Sequence, residues 1–229
     1  MNLIFNSWSS ATSLVFSLDP EVMSIVALSL RVSCLATLCA ACLAVPLGFV
    51  IALHTFPGKR LVIIINNTLL ALPTVVIGLF VYAFLSRRGL FGALDLLYSP
   101  MAMGIGQVIL IIPVITALTI AAISRIDQRY HKTALTLGAN SLQAARVVFK
   151  EARFGIVSAI ITAFGRVISE VGISMMLGGN IKGFTRTMTT AMALEYDKGS
   201  FDLAVALGIV LMCISLGMNV LLHFFQGRQ

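Results

Sequence analysis

Long apolar stretches alternate with short polar or basic segments along most of this chain. A helix needs about 20 apolar residues to cross a hydrocarbon core of about 30 Å, and five stretches reach that length. The pattern therefore predicts an all-α membrane protein with five transmembrane helices in a single domain, residues 22–225. The predicted spans cover residues 32–53, 61–85, 101–123, 155–177 and 203–225.

The first apolar stretch is longer than one membrane crossing requires. Asp19, Pro20 and Glu21 form a helix start signal, with Asp19 as N-cap and Pro20 at the first helical position. Residues 22–53 would make a helix of about 48 Å at about 1.5 Å per residue. We therefore expect Arg31 at one membrane interface, with the residues before it projecting from the bilayer or lying along it.

Basic residues in the loops predict how the chain is oriented. Five spans place the termini on opposite sides, with nine cations on one side and five on the other. The positive-inside rule assigns the richer side to the cytoplasm, so the C-terminus is cytoplasmic and residues 1–21 form an extracytoplasmic segment. The nine are Lys59, Arg60, Arg125, Arg129, Lys132, Arg146, Lys150, Arg153 and Arg228, and the five are Arg87, Arg88, Lys182, Arg186 and Lys198.

Composition supports a membrane location and excludes several classes of protein. Apolar residues make up 59% of the chain and charged residues 11%, and the mean hydropathy is +0.99. A soluble domain has about 25% charged residues, which is what covers its surface. A soluble enzyme, a disordered protein and a nucleic-acid-binding protein are therefore excluded, and the net charge of +7 does not indicate nucleic acid.

Small residues and prolines within the spans indicate close packing and bending. Alanine or glycine at every fourth position of the first span predicts a ridge that another helix, or a second subunit, can approach closely. Proline removes a backbone hydrogen bond, so three kinks are expected, as in moving pathways and in some static membrane proteins. The ridge is Ala36, Ala40, Ala44, Gly48 and Ala52, and the kinks are Pro46, Pro73 and Pro113.

Arg166 and Glu170 are ionisable residues within the fourth predicted span. A charge at the bilayer centre costs about 2.5–3.5 kcal/mol on insertion scales, so such residues usually face protein or an aqueous cavity. Their separation of four residues predicts one helix face, on which they could pair. Two interpretations stay open: a polar pathway in which Arg166 faces an anion, or a structural ion pair that locks the helices together.

No arrangement of residues predicts catalysis, a metal site or nucleotide binding by this chain. Cys34, Cys39 and Cys42 lie in an apolar helix and are interpreted as buried small residues rather than metal ligands. The three histidines are scattered, and there is no glycine-rich phosphate loop ending in Gly-Lys-Ser or Gly-Lys-Thr. Any ATP that the protein uses must therefore be bound by another chain.

The longest connection, residues 126–153, is predicted to be a cytoplasmic loop with its own structure. The pattern indicates a helix, a turn at residues 138–141, and a second helix for which Ser141 can serve as the cap. Leu142, Ala145 and Phe149 would share one face of the second helix. A structured basic element beneath a membrane domain is typical of a docking surface.

This loop resembles the coupling helix of importer-type ATP-binding-cassette permeases. Their pattern is Glu-Ala-Ala, three residues, then Gly; Ala134 and Gly138 match it, while Lys132 and Thr133 replace Glu and Ala. In that family the loop is seated in a groove of a cytoplasmic ATPase. The resemblance implies that ATPase coupling involves His131, Lys132, Thr133, Ala134, Leu137, Gly138, Ala139, Asn140 and Ser141.

Other segments resemble the molybdate and tungstate group of these permeases. Residues 72–79, Leu-Pro-Thr-Val-Val-Ile-Gly-Leu, are similar to the second span of that group. Similarity to its tungstate branch is found at residues 165–166, 169–172, 178–181, 185–191, 193–195 and 198–199. The resemblance extends from residue 21 to the last span.

The resemblance implies a type I ABC importer permease core that forms a homodimeric pathway for tungstate. The implied partners are a second copy of the chain, a cytoplasmic ATPase dimer that binds ATP and Mg²⁺, an extracytoplasmic tungstate-binding protein, and the lipid of a prokaryotic inner membrane. This chain would then hold no cofactor and no catalytic residue. The residues expected to line or gate the pathway are Arg166, Ser169, Glu170, Asn180, Thr185, Arg186 and Thr187.

Two other functions stay open. One is a permease of the same fold for molybdate, sulfate or another solute; the other is an ATP-independent transporter or channel with Arg166 and Glu170 as an ion relay. The threonine-rich residues 185–191 would either dip toward the pathway or form an outer loop that docks the binding protein.

Overall fold

The computed structural model describes residue 17 and residues 19–226, without the side chains of residues 128, 131 and 226. Most of the predicted segment 1–21, Arg228 and the side chain of His131 therefore lie outside the described part. Every regular element in the described residues is helical, which confirms the all-α prediction. Nine α-helices lie in this described part: α1 Pro20–Leu53, α2 Lys59–Leu70, α3 Thr74–Leu85, α4 Pro100–Ser124, α5 Gln128–Thr136, α6 Ser141–Ile168, α7 Gly172–Gly178, α8 Met188–Asp197 and α9 Phe201–Gln226.

The first helix starts where its sequence predicts. The Asp19 side chain accepts hydrogen bonds from the backbone N–H groups of Glu21 and Val22, and Pro20 occupies the first helical position. A cap of this kind stabilises a helix by about 1 kcal/mol. The helix then continues through Arg31 and Pro46 as one element of 34 residues. At about 1.5 Å per residue it is about 51 Å long and exceeds the membrane core.

Among the described residues, three helices, α1, α4 and α9, are each long and apolar enough to cross a membrane. Two bent pairs raise the number to five if each pair is counted as one span: α2 with α3, and α6 with α7. The pairs bend by 98° and 60°. The predicted spans 61–85 and 155–177 are therefore not single straight helices, since each contains a break.

Proline causes the first break. Pro73 lies between α2 and α3 with an extended ψ of 135°, rather than within a helix. Proline has no N–H to donate and disfavours helical geometry in the residue before it, so one helix ends and the next begins there. Pro46 and Pro113 differ because α1 and α4 continue past them. The side chain of Asn66 on α2 donates a hydrogen bond of 3.1 Å to the Pro113 carbonyl, which ties α2 to α4.

The ridge of small residues on α1 is used within the chain. Ala40 and Ala44 are fully buried, and Gly48 lies against α4. A Cβ placed on Gly48 would be 2.8 Å from the Thr119 Cβ and 2.9 Å from the Thr116 carbonyl oxygen. The ridge therefore joins α1 to α4 and is not available to a second subunit, contrary to one use expected for it.

The core lies where α1, α3, α4, α6 and α7 meet, around Met103, Ile111 and Ile173. A second cluster joins the start of α1 to α6, α8 and α9, and a third packs the end of α4 against α6. The outer surface is apolar, with Leu35 and Phe80 largely exposed, as a bilayer requires. All four cysteines are exposed and unbridged, so the expectation that Cys34, Cys39 and Cys42 are buried is wrong.

Candidate functional site

The break after α6 places three predicted pathway residues at one point. Helix α6 ends at Ile168, and the Ser169 hydroxyl donates to the carbonyl oxygens of Gly165 and Arg166 at 3.0 and 3.1 Å. The Glu170 carboxylate then accepts a hydrogen bond of 3.2 Å from the Ile173 N–H, which lies in the first turn of α7. Ser169 and Glu170 thus satisfy backbone groups at the break.

The break removes the geometry that would pair Arg166 with Glu170. Glu170 lies beyond the helix, and no ion pair joins it to Arg166 among the described residues. The expected sharing of one helix face is therefore wrong, because it assumed an unbroken helix. Arg166 lies in the last turn of α6 and is exposed in the single chain.

The residues after α7 form a compact turn held by hydroxyl groups. Gly179 and Asn180 both have left-handed backbones, with φ of 68° and 52°, and reverse the chain. The Thr185 hydroxyl donates to the Gly178 carbonyl and accepts from the Ile181 N–H. The Asn180 side chain donates to the Thr190 carbonyl at 3.2 Å. Hydrogen bonds within the protein therefore fix the shape of this turn, which is not an open loop.

The threonine-rich residues are buried and engaged with the protein. Thr187 caps α8 in a capping box with Thr190, and the Thr189 hydroxyl donates to the Glu170 carbonyl at 2.9 Å. Thr185 and Thr190 are fully buried. Their hydroxyls are thus engaged in fixing the segment against the break after α6, and the segment packs inward.

Glu21 is a residue of this region that the sequence does not predict as part of the site. Its carboxylate lies 2.7 Å from the Lys182 Nζ and 3.9 Å from an Arg186 guanidinium nitrogen. The Arg186 side chain is only 11% exposed, so the carboxylate offsets part of the cost of burying it. Glu21 and Arg186 are 165 positions apart in the sequence, so no local sequence pattern could reveal this ion pair.

Ser29 makes a second link between α1 and the threonine-rich segment. Its hydroxyl accepts a hydrogen bond of 2.8 Å from the Met188 N–H and donates to the Ile25 carbonyl, and the residue is 3% exposed. A buried N–H that loses its acceptor costs the free energy of its desolvation. Ser29 therefore holds the N-terminus of α8 against α1.

We expect Ser29→Ala to lower the free energy of unfolding by about 1.5 kcal/mol, since it leaves the Met188 N–H buried without a partner. The matched control is Ser24→Ala on the same helix, where the exposed hydroxyl bonds only to the Glu21 carbonyl. The control should change the free energy by less than about 0.5 kcal/mol. Thermal melts followed by circular dichroism measure both variants; equal shifts would contradict the link.

Tyr98 covers the turn from the loop before α4. Its N–H donates to the Leu177 carbonyl at 2.8 Å, and a Cβ on Gly179 would lie 2.8 Å from the Tyr98 ring. Tyr98 itself has a positive φ of 61°. A side-chain hydrogen bond with Tyr82 raises the pKa of Tyr98 above its ordinary value. The ring therefore packs where only glycine fits, which fixes the turn.

The predicted coupling loop lies at the other end of α6. Helix α5 is followed by Gly138, whose φ is 87°, and α6 begins at Ser141. The N-cap of α6 is Asn140 in a capping box with Gln143, so the prediction of Ser141 as cap is wrong by one residue. Leu135 and Leu137 are exposed, Leu137 by 82%. An apolar, basic turn of this kind is a surface suited to a partner protein.

The second helix of this loop buries a face other than the one that Leu142 and Phe149 share. Ala144, Val148 and Ala152 are buried, while Leu142 and Phe149 are exposed. The Phe149 ring still contacts Phe49 of α1 edge-on, with centroids 5.6 Å apart. Helix α6 then runs without interruption for 28 residues. It connects the turn of residues 131–141, called the coupling turn below, to Arg166 and Ile168.

The chain belongs to the family described as binding-protein-dependent transport system inner membrane components, which matches residues 44–229. It is thus a multi-pass membrane protein and the permease subunit of an ABC importer, and ATP hydrolysis belongs to a separate subunit. It is 38% identical to the tungstate uptake system permease protein TupB of Peptoclostridium acidaminophilum over 99% of both chains. It is 35% identical to TupB of Campylobacter jejuni, over 97% of this chain and 93% of that protein.

A solved structure has the same fold. The crystal structure of an amino acid ABC transporter with histidines matches 93% of this chain and 96% of its own chain, with a TM-score of 0.68. The identity is 18%, so the likeness concerns the fold alone. It confirms the prediction of an ABC permease fold.

Proposed function

We propose that this chain is the permease subunit of a tungstate importer in a prokaryotic inner membrane. The observation that carries the proposal is the sequence identity of 38% and 35%, over nearly the full length, between this chain and two proteins named as tungstate uptake permeases. In this proposal the membrane domain spans residues 22–225 and crosses the bilayer five times, each bent helix pair counting once. The N-terminal segment 1–21 is extracytoplasmic and the C-terminus is cytoplasmic.

The chain works as one half of a homodimer with two ATPase subunits beneath it. The turn of residues 131–141 docks on the ATPase, and support comes from the exposed Leu137 and the left-handed Gly138 at its tip. ATP and Mg²⁺ bind to the ATPase, and no cofactor belongs to this chain. An extracytoplasmic tungstate-binding protein delivers the anion to the opposite end.

Arg166 is the residue proposed to meet the anion. It is exposed at the end of α6 and makes no ion pair among the described residues, so its charge is free to face a pathway at the dimer interface. Tungstate is a tetrahedral dianion, and a single guanidinium attracts it without binding so tightly that release fails. Ser169 lies one turn away and is also exposed.

The segment of residues 179–190, which is buried at residue 185 and from residue 187 onward, is proposed as a rigid gate at the extracytoplasmic end. Asn180, Thr185 and Thr187 give it a fixed shape. The first two side chains donate to backbone carbonyl groups, and the Thr187 hydroxyl is hydrogen-bonded to the hydroxyls of Thr189 and Thr190. Arg186 and Glu21 anchor it to the start of α1. These residues would shape the opening rather than coordinate the anion directly, and Glu170 would hold the base of the gate.

The test is uptake in proteoliposomes that contain the complete transporter and its binding protein. ATP-dependent uptake of tungstate should exceed that of molybdate and sulfate, and calorimetry on the binding protein should rank the three anions in the same order. Tightest binding of sulfate would refute the tungstate assignment. Uptake that needs no ATPase would refute the importer itself and favour a secondary transporter.

We expect Arg166→Ala to reduce tungstate uptake about tenfold, since one favourable charge contact of about 1.4 kcal/mol is lost from the pathway. Calorimetry should show unchanged tungstate affinity of the binding protein. Arg166→Lys keeps a positive charge and should recover part of the uptake. Arg31→Ala, which removes an exposed arginine from α1, is the matched control. Normal uptake by Arg166→Ala would exclude Arg166 from the pathway.

A further inference from the structure

A cavity of about 840 Å³ lies between the end of α4, the start of α5 and the middle of α6. It adjoins the coupling turn but belongs to one chain, and neither the pathway nor the ATPase dock proposed above accounts for it. Its position at the end of α4 places it at the cytoplasmic membrane interface, in the orientation proposed above.

The mouth of the cavity is rich in cations. Arg125, Lys150 and Arg153 line it, and none of the three forms an ion pair among the described residues. The two acidic residues of the lining do not neutralise them: Asp127 pairs with Arg129, and Glu151 contributes one negative charge. Uncompensated cations around a cavity favour an anionic ligand.

The inner wall of the cavity combines an apolar surface with an unsatisfied hydroxyl. Leu118 and Ala122 contribute apolar surface. Ser158, also in the wall, is 8% exposed, and its hydroxyl has no hydrogen-bond partner within the described part of the chain. Buried polar groups normally have partners, so this hydroxyl indicates a ligand or water in the cavity.

We propose that this cavity binds an anionic phospholipid of the cytoplasmic leaflet. The phosphate would lie among Arg125, Lys150 and Arg153, an acyl chain would follow the apolar wall, and Ser158 would contact an ester or glycerol oxygen. Basic pockets between helices on the cytoplasmic side are the usual sites for such headgroups. A free oxyanion would account for the three cations of the cavity, but it would not account for the apolar wall at the membrane interface.

The bound lipid would join the loop to the membrane domain. Asp127 and Tyr130, at the start of α5, share the cavity wall with Leu118 of α4 and Phe154 of α6. A lipid in this cavity therefore contacts all three helices and stabilises the position of α5. The chemistry needed is a phosphate-bearing anion attached to an acyl chain.

Native mass spectrometry of the full-length chain, purified in detergent, tests the proposal with phosphatidylglycerol and phosphatidylcholine as probes. Wild-type protein should retain phosphatidylglycerol preferentially. The double variant Arg125→Gln with Arg153→Gln should bind it about 20-fold more weakly, because each surface cation strengthens binding to anionic lipid several-fold. The matched control, Arg87→Gln with Arg88→Gln, removes two exposed cations from the loop after α3 and should bind as the wild type does.

A second variant tests the cavity independently of charge. Ser158→Leu fills the inner wall and should weaken phosphatidylglycerol binding by a similar factor, with circular dichroism confirming its fold. Equal retention of the two lipids, or equal losses in both double variants, would overturn the proposal. Displacement of the lipid by millimolar tungstate or inorganic phosphate would also overturn it and assign the cavity to a free oxyanion.

Discussion

Gly138→Val is expected to reduce tungstate uptake at least tenfold in reconstituted transporter while the ATPase continues to hydrolyse ATP. Gly138 has a φ of 87° between α5 and α6. A Cβ placed there meets no atom within 4 Å, so the effect comes from the backbone and not from a steric clash of the Cβ with neighbours. A left-handed conformation costs other residues about 1–2 kcal/mol, and most for β-branched side chains. The turn would therefore change shape and no longer fit its partner.

Gly138→Asn is the matched control, because asparagine tolerates the left-handed region better than valine. The asparagine variant should keep most of the wild-type uptake, although the asparagine side chain is similar in size to that of valine. Uptake and phosphate release are measured in the same proteoliposomes, so their ratio reports coupling directly. Equal ratios in wild type and the valine variant would show that the turn does not transmit the ATPase movement.

Gly48→Val is expected to lower the free energy of unfolding by about 3 kcal/mol, the upper end of the cost of overpacking a core. The new Cβ would lie 2.9 Å from the Thr116 carbonyl oxygen, which is backbone and cannot rotate away. Helices α1 and α4 would have to separate along the ridge of alanines. Thermal melts in detergent, followed by circular dichroism, measure the loss.

Gly104→Val is the control for Gly48→Val, since a Cβ at Gly104 meets nothing within 4 Å and the residue lies in α4 itself. Its effect should stay below about 1 kcal/mol, the range of helix propensity differences. If both variants lose the same stability, the close approach of α1 and α4 does not limit stability, because valine at position 104 meets no neighbouring atom at its Cβ and is a better helix former than glycine.

Local signals in the sequence predict the ends and interiors of the helices well. The Asp19-Pro20 start is confirmed because the capping group and its acceptors are within three residues of each other. The prediction of small-residue packing at Ala40 and Ala44 is also confirmed. A spacing of four residues places them on one helix face, whichever helix packs against that face. What the spacing does not give is the partner, which proved to be α4 of the same chain.

The helix breaks and the turn of residues 179–190 depend on contacts between segments that are far apart in the sequence. Apolar residues continue through Val171 and Ile173, so hydropathy joins α6 and α7 into one span, while hydrogen bonds from Ser169 and to Glu170 separate them. The cap of α6 is ambiguous because Asn140 and Ser141 are both good capping residues. The links from Glu21 to Arg186 and from Ser29 to Met188 join distant segments and have no local signal.

The unbroken helix α6 has a mechanical consequence. Its 28 residues make a rod of about 42 Å, with the coupling turn at one end and Arg166 at the other. If such a rod pivots near one end, a tilt of about 10° moves the far end by about 7 Å, more than the width of a tetrahedral oxyanion. A small rotation at the end that carries residues 138–141 therefore suffices to move the end that carries Arg166 by more than the width of the anion.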